Sequence, residues 1–362
     1  MSVEGFEPKI EDEKSPAPKI LKGSPEFFES KEGNDREDKG PLYLMMNLET
    51  KCSARCLKCA LPGRGGHMGE PLSIDQRKKL LAKVGELGIK ELVIVGGGEP
   101  TEHFDDIMKP IIEAAHHEGL GTIMFTNATC LTREQAEFYR EHDVSIFVSL
   151  DAIDPETYKF LIGFDKIKEE MKEKLTLEQV LNNIRMLREV YGQTEEVIRG
   201  KKVVRLGINV TVFKQNKKQL DAIKKLAGDD MQFIANHPIP RGKLGNKKVW
   251  QMLVGDEYED LQRLAQKKSD TGGHSSINEG ACSYFNRGIS VNTDGQLLSC
   301  GYASETAHSL GSVTDSSTIE DLKKHYSDIR TRYKQFTKET GRTPSCPLRD
   351  DDYQGFLDKL KK

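Results

Sequence analysis

What the sequence lacks narrows the field first. No apolar run approaches the length that crosses a bilayer. The opening MSVEGFEPKI has no basic-then-apolar signal segment. Positive charge is not in excess: 54 Lys and Arg stand against 57 Asp and Glu, for a formal net charge of −3. Nucleic acid is therefore not an expected partner, and neither is a membrane. The seven cysteines are an odd number that sits badly with a disulfide framework. A cytoplasmic location is expected, where the reducing environment suits thiols as metal ligands. At 362 residues the chain can build one large domain and a smaller one.

Residues 1–40 are polar and punctuated by Pro, Gly and Ser. Such composition buries too little apolar surface to offset chain entropy, so a mostly disordered tail is expected, with Phe6, Phe27 and Phe28 able to dock on the body. From residue 41 short apolar strands alternate with amphipathic helices. The strand candidates are 42–48, 91–95, 121–126, 144–150, 203–212 and 231–235. Ser73 with Gln76, Thr132 with Gln135 and Thr176 with Gln179 each fit a capping box, while Gly88 and Gly119 sit where helices end. Pro110 marks the first turns or a kink of its helix. Six strands with intervening helices imply an α/β fold with a parallel sheet of right-handed crossovers. Periodicity leaves open sheet and barrel both open. Either way the site belongs at the C-terminal strand ends.

The chemistry centres on 51–59, KCSARCLKC, which spaces Cys52, Cys56 and Cys59 by three and two residues. Three thiolates on one loop hold three corners of a 4Fe–4S cubane, leaving the fourth iron for a small molecule. A structural zinc site usually takes four protein ligands in paired units, and the local count here is three. Gly97-Gly98-Glu99-Pro100 follows directly after a strand-like segment. With both marks in this order, the sequence resembles the radical S-adenosylmethionine (SAM) superfamily. The resemblance implies a partial (β/α)6 barrel over 41–268, with Cys52, Cys56 and Cys59 as ligands of a SAM-binding 4Fe–4S cluster. It also implies that Gly97, Gly98, Glu99 and Pro100 face the methionine amino group. Ser149 and Asp151 match a ribose and methionine motif, Asn127 matches a TNG-type turn with Ala128 replacing its glycine, and Asn209 is a further candidate. In two places the chain departs from its relatives. Lys58 stands where many relatives carry an aromatic or histidine. The turn Leu161-Ile162-Gly163 lacks the arginine expected to pair with the SAM carboxylate, leaving Lys159 or Lys166 as substitutes.

Farther along, the Gly/Ser-rich stretch 271–280 reads as a linker. Segments 288–292 and 296–300 flank an Asp294-Gly295 turn, a hairpin signal. With Cys282, Cys300, Cys346 and the run 310–313, this region resembles a SPASM/twitch extension. A small C-terminal α+β twitch-like domain over 269–362 is thus expected, holding a second, auxiliary 4Fe–4S cluster on those three cysteines. A zinc-stapled hairpin or unligated thiols are the plainer readings, and Asp350 and Cys130 are among the options for a fourth ligand. Cys130 is also a candidate hydrogen-atom donor, against the plainer reading of a buried thiol. The expected activity is reductive cleavage of SAM to a 5′-deoxyadenosyl radical that takes a hydrogen atom from a peptide or small-molecule substrate. Oxidation, crosslinking, epimerisation or rearrangement would follow, with flavodoxin or ferredoxin as reductant. A non-catalytic iron–sulfur electron carrier or redox sensor is the alternative, and it would need neither the glycine turn nor the ribose motif.

Overall fold

The computed structural model describes residues 18–32, 40–48, 51–59, 70–270, 287–298, 300–301, 309–313, 317–342 and 350–360. The strands are β1 (Lys19–Leu21), β2 (Tyr43–Asn47), β3 (Glu91–Gly96), β4 (Gly121–Thr126), β5 (Val144–Ser149), β6 (Val197–Ile198), β7 (Lys201–Val204), β8 (Leu206–Thr211), β9 (Met231–Asn236), β10 (Gly288–Val291), β11 (Gln296–Leu298) and β12 (Ser309–Ser312). The helices used below are α1 (Pro25–Glu32), α2 (Ile74–Glu86), α3 (Lys109–His117), α4 (Arg133–Glu141), α5 (Pro155–Ile162), α6 (Leu177–Tyr191), α7 (Lys247–Leu253) and α8 (Ile319–Thr340). No described helix is long and apolar enough to cross a membrane.

One sheet runs β12-β11-β10-β2-β3-β4-β5-β8-β9, and its core is six parallel strands from β2 to β9. Among the described residues its two end strands, β12 and β9, do not pair, which leaves a barrel open on one side. Period-two alternation sorts the side chains into two layers. Tyr43, Met45, Val93, Val95, Ile123 and Phe147 form an inner cluster. Leu44, Met46, Leu92, Ile94, Met124, Ile146, Val148 and Ile208 instead join the larger cluster under the helices. Gly207 falls on the inner face, where a Cβ would come within 2.3 Å of the Phe147 ring. Continuing the alternation, the inward residues at the C-terminal rim are polar: Ser149, Asn209, Thr211 and Asn236.

Helix starts follow the capping signals. Ser73 and Thr132 close full capping boxes on α2 and α4. Thr176 caps α6 through Gln179 N, but the Gln179 side chain turns to Asn183 at 3.2 Å. Pro110 lies in the first turn of α3, directly after a π-helical turn at 104–108.

The structure corrects the sequence reading in two places. The expected tail does not run unbroken to residue 40, because β1 pairs with β7 and Leu21 reaches the inner barrel cluster, where Phe28 also packs. Gln232 fixes this plug by accepting from Leu21 N at 3.1 Å and donating to Lys19 O at 3.2 Å. The expected strand 203–212 is two strands in two sheets, with the break at Arg205. In the C-terminal hairpin, β10 pairs in parallel with β2 and so extends the barrel wall. The expected linker 271–280 lies outside the described residues.

Candidate active site

The segment 51–59 has no regular structure of its own, so its shape comes from its neighbours. Glu99 N donates to Lys51 O at 3.0 Å. The Glu102 carboxylate accepts from Ser53 N at 2.9 Å and from Ser53 Oγ at 2.8 Å. Arg55 N and Leu57 N donate to Ile162 O and Leu161 O, at 3.0 and 2.9 Å, at the end of α5. Lys243, after β9, donates its backbone N–H to Cys59 O at 2.9 Å. Its ammonium reaches Arg55 O at 2.9 Å and Cys56 O at 3.0 Å. Gly163 ends α5 at φ +66°, and a Cβ there would lie 2.5 Å from Arg55 O. The turn that lacks an arginine thus serves the loop through its carbonyls and its missing side chain.

Cys52, Cys56 and Cys59 all line one cavity of about 240 Å³. Burial pushes the Cys56 thiol up to about 11, against the opposing pull of Lys58. Burial also raises Cys52, reinforced by the carboxylate of Glu99. Thiols in such surroundings become thiolates readily only when a bound cationic group compensates them. Among the described residues, no three His, Cys, Asp or Glu side chains gather as closely as a single metal ion requires. A cubane takes each thiolate on a different iron, so the wider spread of three cysteines around one cavity fits it.

Along the same cavity, Gly96, Gly97 and Gly98 take φ of 134°, 90° and 151°, a run that side chains rarely adopt. Their backbone forms the cavity wall. Glu99 folds beneath the turn, 3% exposed. Its carboxylate accepts from Thr101 Oγ1 at 2.7 Å, Thr126 Oγ1 at 2.5 Å and Asn127 N at 2.8 Å. It therefore ties the turn after β3 to the turn after β4. Burial raises its pKa, and these hydrogen bonds oppose the rise. Pro100 starts a short 3₁₀ turn and does not line the main cavity.

The remaining wall comes from the next strand ends. Asn127 lines the cavity, but its Oδ1 turns back to Thr129 N and Oγ1 at 2.9 and 2.6 Å. Ala128 adopts the left-handed φ of +57° that a glycine would take without strain. Asn183 Nδ2 holds it there, donating to Ala128 O at 2.6 Å. Ser149 and Asn209 line the cavity, and Asn209 Oδ1 accepts from Asn236 Nδ2 at 2.6 Å. Asp151 borders a smaller adjoining void and pairs with Lys58 at 2.6 Å. Asp154, not Asp151, caps α5.

Several expected residues are elsewhere. Cys130 lines neither void; it contacts the Thr129 hydroxyl at 3.8 Å, and burial raises its pKa. Lys159 pairs with Glu156 at 3.2 Å on the exposed face of α5. Neither Lys159 nor Lys166 lines the cavity. Cys300, just past β11, packs on the inner barrel cluster. Cys282 and Cys346 lie outside the described residues, and Asp350 is taken up by Arg342. Sequence reasoning did not single out Thr211, Asn236 or Lys243, and it noted Lys58 only as a departure. Extending the inward alternation of β9 from Gln232 would have found Asn236. Lys243 carries no local signal.

Residues 46–227 match the family model of the Radical SAM superfamily, half of the chain. Among curated proteins, the PqqA peptide cyclase of Bradyrhizobium diazoefficiens is 33% identical over 95 residues, covering 26% of this chain and 24% of that one. A probable GTP 3′,8-cyclase of Methanothermobacter thermautotrophicus is 30% identical over 143 residues, covering 39% and 45%. The matched stretches thus span less than half of either relative. Among solved structures, Streptococcus suis SuiB bound to precursor peptide SuiA superposes with a TM-score of 0.56 at 15% identity, covering 81% of this chain and 67% of that one. Native anSMEcpe with bound AdoMet gives 0.52 at 15% identity, covering 80% and 83%. At such identities the structural likeness concerns the fold.

Proposed function

This chain belongs to the radical SAM superfamily, and from that premise we propose that it cleaves SAM reductively and uses the resulting radical to take a hydrogen atom from a peptide. The observation that carries this reading is the cavity itself, lined together by three thiols and a side-chain-free glycine turn. Cys52, Cys56 and Cys59 would hold a 4Fe–4S cluster. When bound, that group supplies the low-potential electron that splits SAM into methionine and a 5′-deoxyadenosyl radical.

The chain's own residues bind, orient and exclude water. The backbone of Gly97 and Gly98, with no side chain over it, would allow close approach of an amino acid moiety. Ser149, Asn209 and Asn236 would offer polar groups to a ribose, and Asp151 and Lys58 close the adjoining side. Val95, Phe125, Ile239 and Leu244 supply the apolar lining that shields a radical from solvent. Cys300 would join Cys282 and Cys346 on a second cluster that takes an electron from the substrate or binds it. A flavodoxin or ferredoxin would supply the reductant.

A peptide substrate is supported by the likeness to PqqA peptide cyclase and by the fold shared with SuiB. A nucleotide is the second reading, supported by the GTP 3′,8-cyclase matches. The test is anaerobic reconstitution, reduction with dithionite and measurement of 5′-deoxyadenosine. The wild type is expected to form it and Cys56→Ala is not. Deuterium moving from a labelled peptide into 5′-deoxyadenosine would support the peptide reading. Transfer from labelled GTP alone would replace it with the nucleotide reading, and equal traces of 5′-deoxyadenosine from both proteins would overturn SAM cleavage.

A further inference from the structure

Lys58 lies between two of the three cysteines, so the loop cannot move without it. Its ammonium sits 2.7 and 2.6 Å from the two carboxylate oxygens of Asp151, with Thr211 Oγ1 at 3.4 Å. The side chains are only 16% and 11% exposed. Asp151 is itself fixed: its Oδ1 accepts from Thr211 N at 2.9 Å, and its carbonyl accepts from the fully buried Asn216 at 2.8 Å. The pair therefore joins the three-cysteine loop to the ends of β5 and β8 by a side-chain bond spanning 93 residues of sequence. Among the described residues lining the main cavity, Lys58 is the one lysine or arginine.

We propose that Lys58 and Asp151 form a charge-balanced tie that positions the three-cysteine loop and sets the local potential felt by a group bound there. Lys58 is thus a positioning residue, and this role rests on the loop holding the cluster proposed above. The physical argument is one of balance. Together the pair adds no net charge to the cavity wall. Removing either partner leaves an uncompensated ion with little access to water, whereas removing both leaves none. The two halves are unequal, because Lys58 has a long stem that can swing its ammonium outward and Asp151 has not.

The test uses three variants of the full chain, Lys58→Met, Asp151→Asn and the double. In the apo protein each single is expected to lower Tm, Lys58→Met more, and the double to regain most of the loss. In the reconstituted protein a redox titration followed by EPR reads the reduced fraction. Lys58→Met leaves an extra negative charge and should lower the potential, while Asp151→Asn should raise it. Each shift is expected to be about tenfold in the reduced-to-oxidised ratio, or about 59 mV for one electron. The double should return close to wild type. Opposite signs with recovery are not produced by loosened packing alone. Singles that shift the potential the same way, or a double no better than the worse single, would overturn the proposal. A wild type that takes up no iron would overturn the proposed function instead, and the coupling in the apo chain then decides the tie by itself.

Discussion

Glu91 begins β3 with its carboxyl group against Gly23 and Gly121, 5% exposed. Burial raises its pKa well above the usual carboxylate value, Asp143 adds to the rise, and Lys22 and Arg205 oppose it. An acid whose folded pKa is raised stabilises the fold below its unfolded pKa and loses that contribution as pH climbs through the folded one. The window opens near 4.5 and extends upward, at a slope of up to about 1.4 kcal/mol per pH unit. Glu91→Gln is expected to flatten this dependence, so that Tm measured from pH 5 to 8 falls more in the wild type than in the variant. Parallel pH profiles would contradict it. At this scale the sequence is readable where residues act through neighbours along the chain. The three cysteines and the glycine run share one short segment each, so the resemblance that marked them could be carried by local motifs. Lys58 with Asp151, and Lys243 with Arg55, are partners 93 and 188 residues apart, and no local pattern joins them. Cys130 follows a strand end in sequence yet lines neither void, because proximity in sequence does not decide which way a thiol faces.

Elements were more legible than their partners, because hydrophobic alternation and caps are local. The core strands β2, β3, β4, β5 and β9 lie within a residue or so of the expected ranges. The failure at 203–212 has a physical cause. Its β-branched residues favour strand throughout, yet β7 pairs with β1 and β6 while β8 pairs with β5 and β9. Arg205 stands at the crossing, its guanidinium reaching Arg140 O at 3.1 Å and Val144 O at 3.0 Å. The end of α5 shows an element acting through its terminus. Its last carbonyls receive the N–H groups of the three-cysteine loop, and Gly163 allows the approach. Gly163→Ala should cost about 1–2 kcal/mol from the left-handed backbone alone, with a clash on Arg55 O added. Lower Tm and reduced iron loading after reconstitution are expected; unchanged values for both would show that the loop does not depend on this contact.

At the scale of the whole molecule, the barrel is plugged at one end and opens to its site at the other. Leu21 is fully buried in the inner cluster, on a segment expected from composition to be disordered. Composition averages over forty residues and hides the short apolar run that docks. Leu21→Ala should destabilise the fold by about 2–5 kcal/mol, read by chemical unfolding; a loss within experimental error would contradict the plug. The C-terminal hairpin extends the same sheet past β2, which brings Cys300 against the inner cluster. That pairing was not legible, since a hairpin signal fixes its turn and not the strand it joins.

The most direct measurement is iron and sulfide content after anaerobic reconstitution, compared between the wild type and Cys52→Ala/Cys56→Ala/Cys59→Ala. The account predicts that the variant holds about four fewer irons per chain than the wild type, falling from about eight to about four if the auxiliary cluster is also present. Equal iron and sulfide in the two proteins would contradict the central claim that these three cysteines hold the cluster.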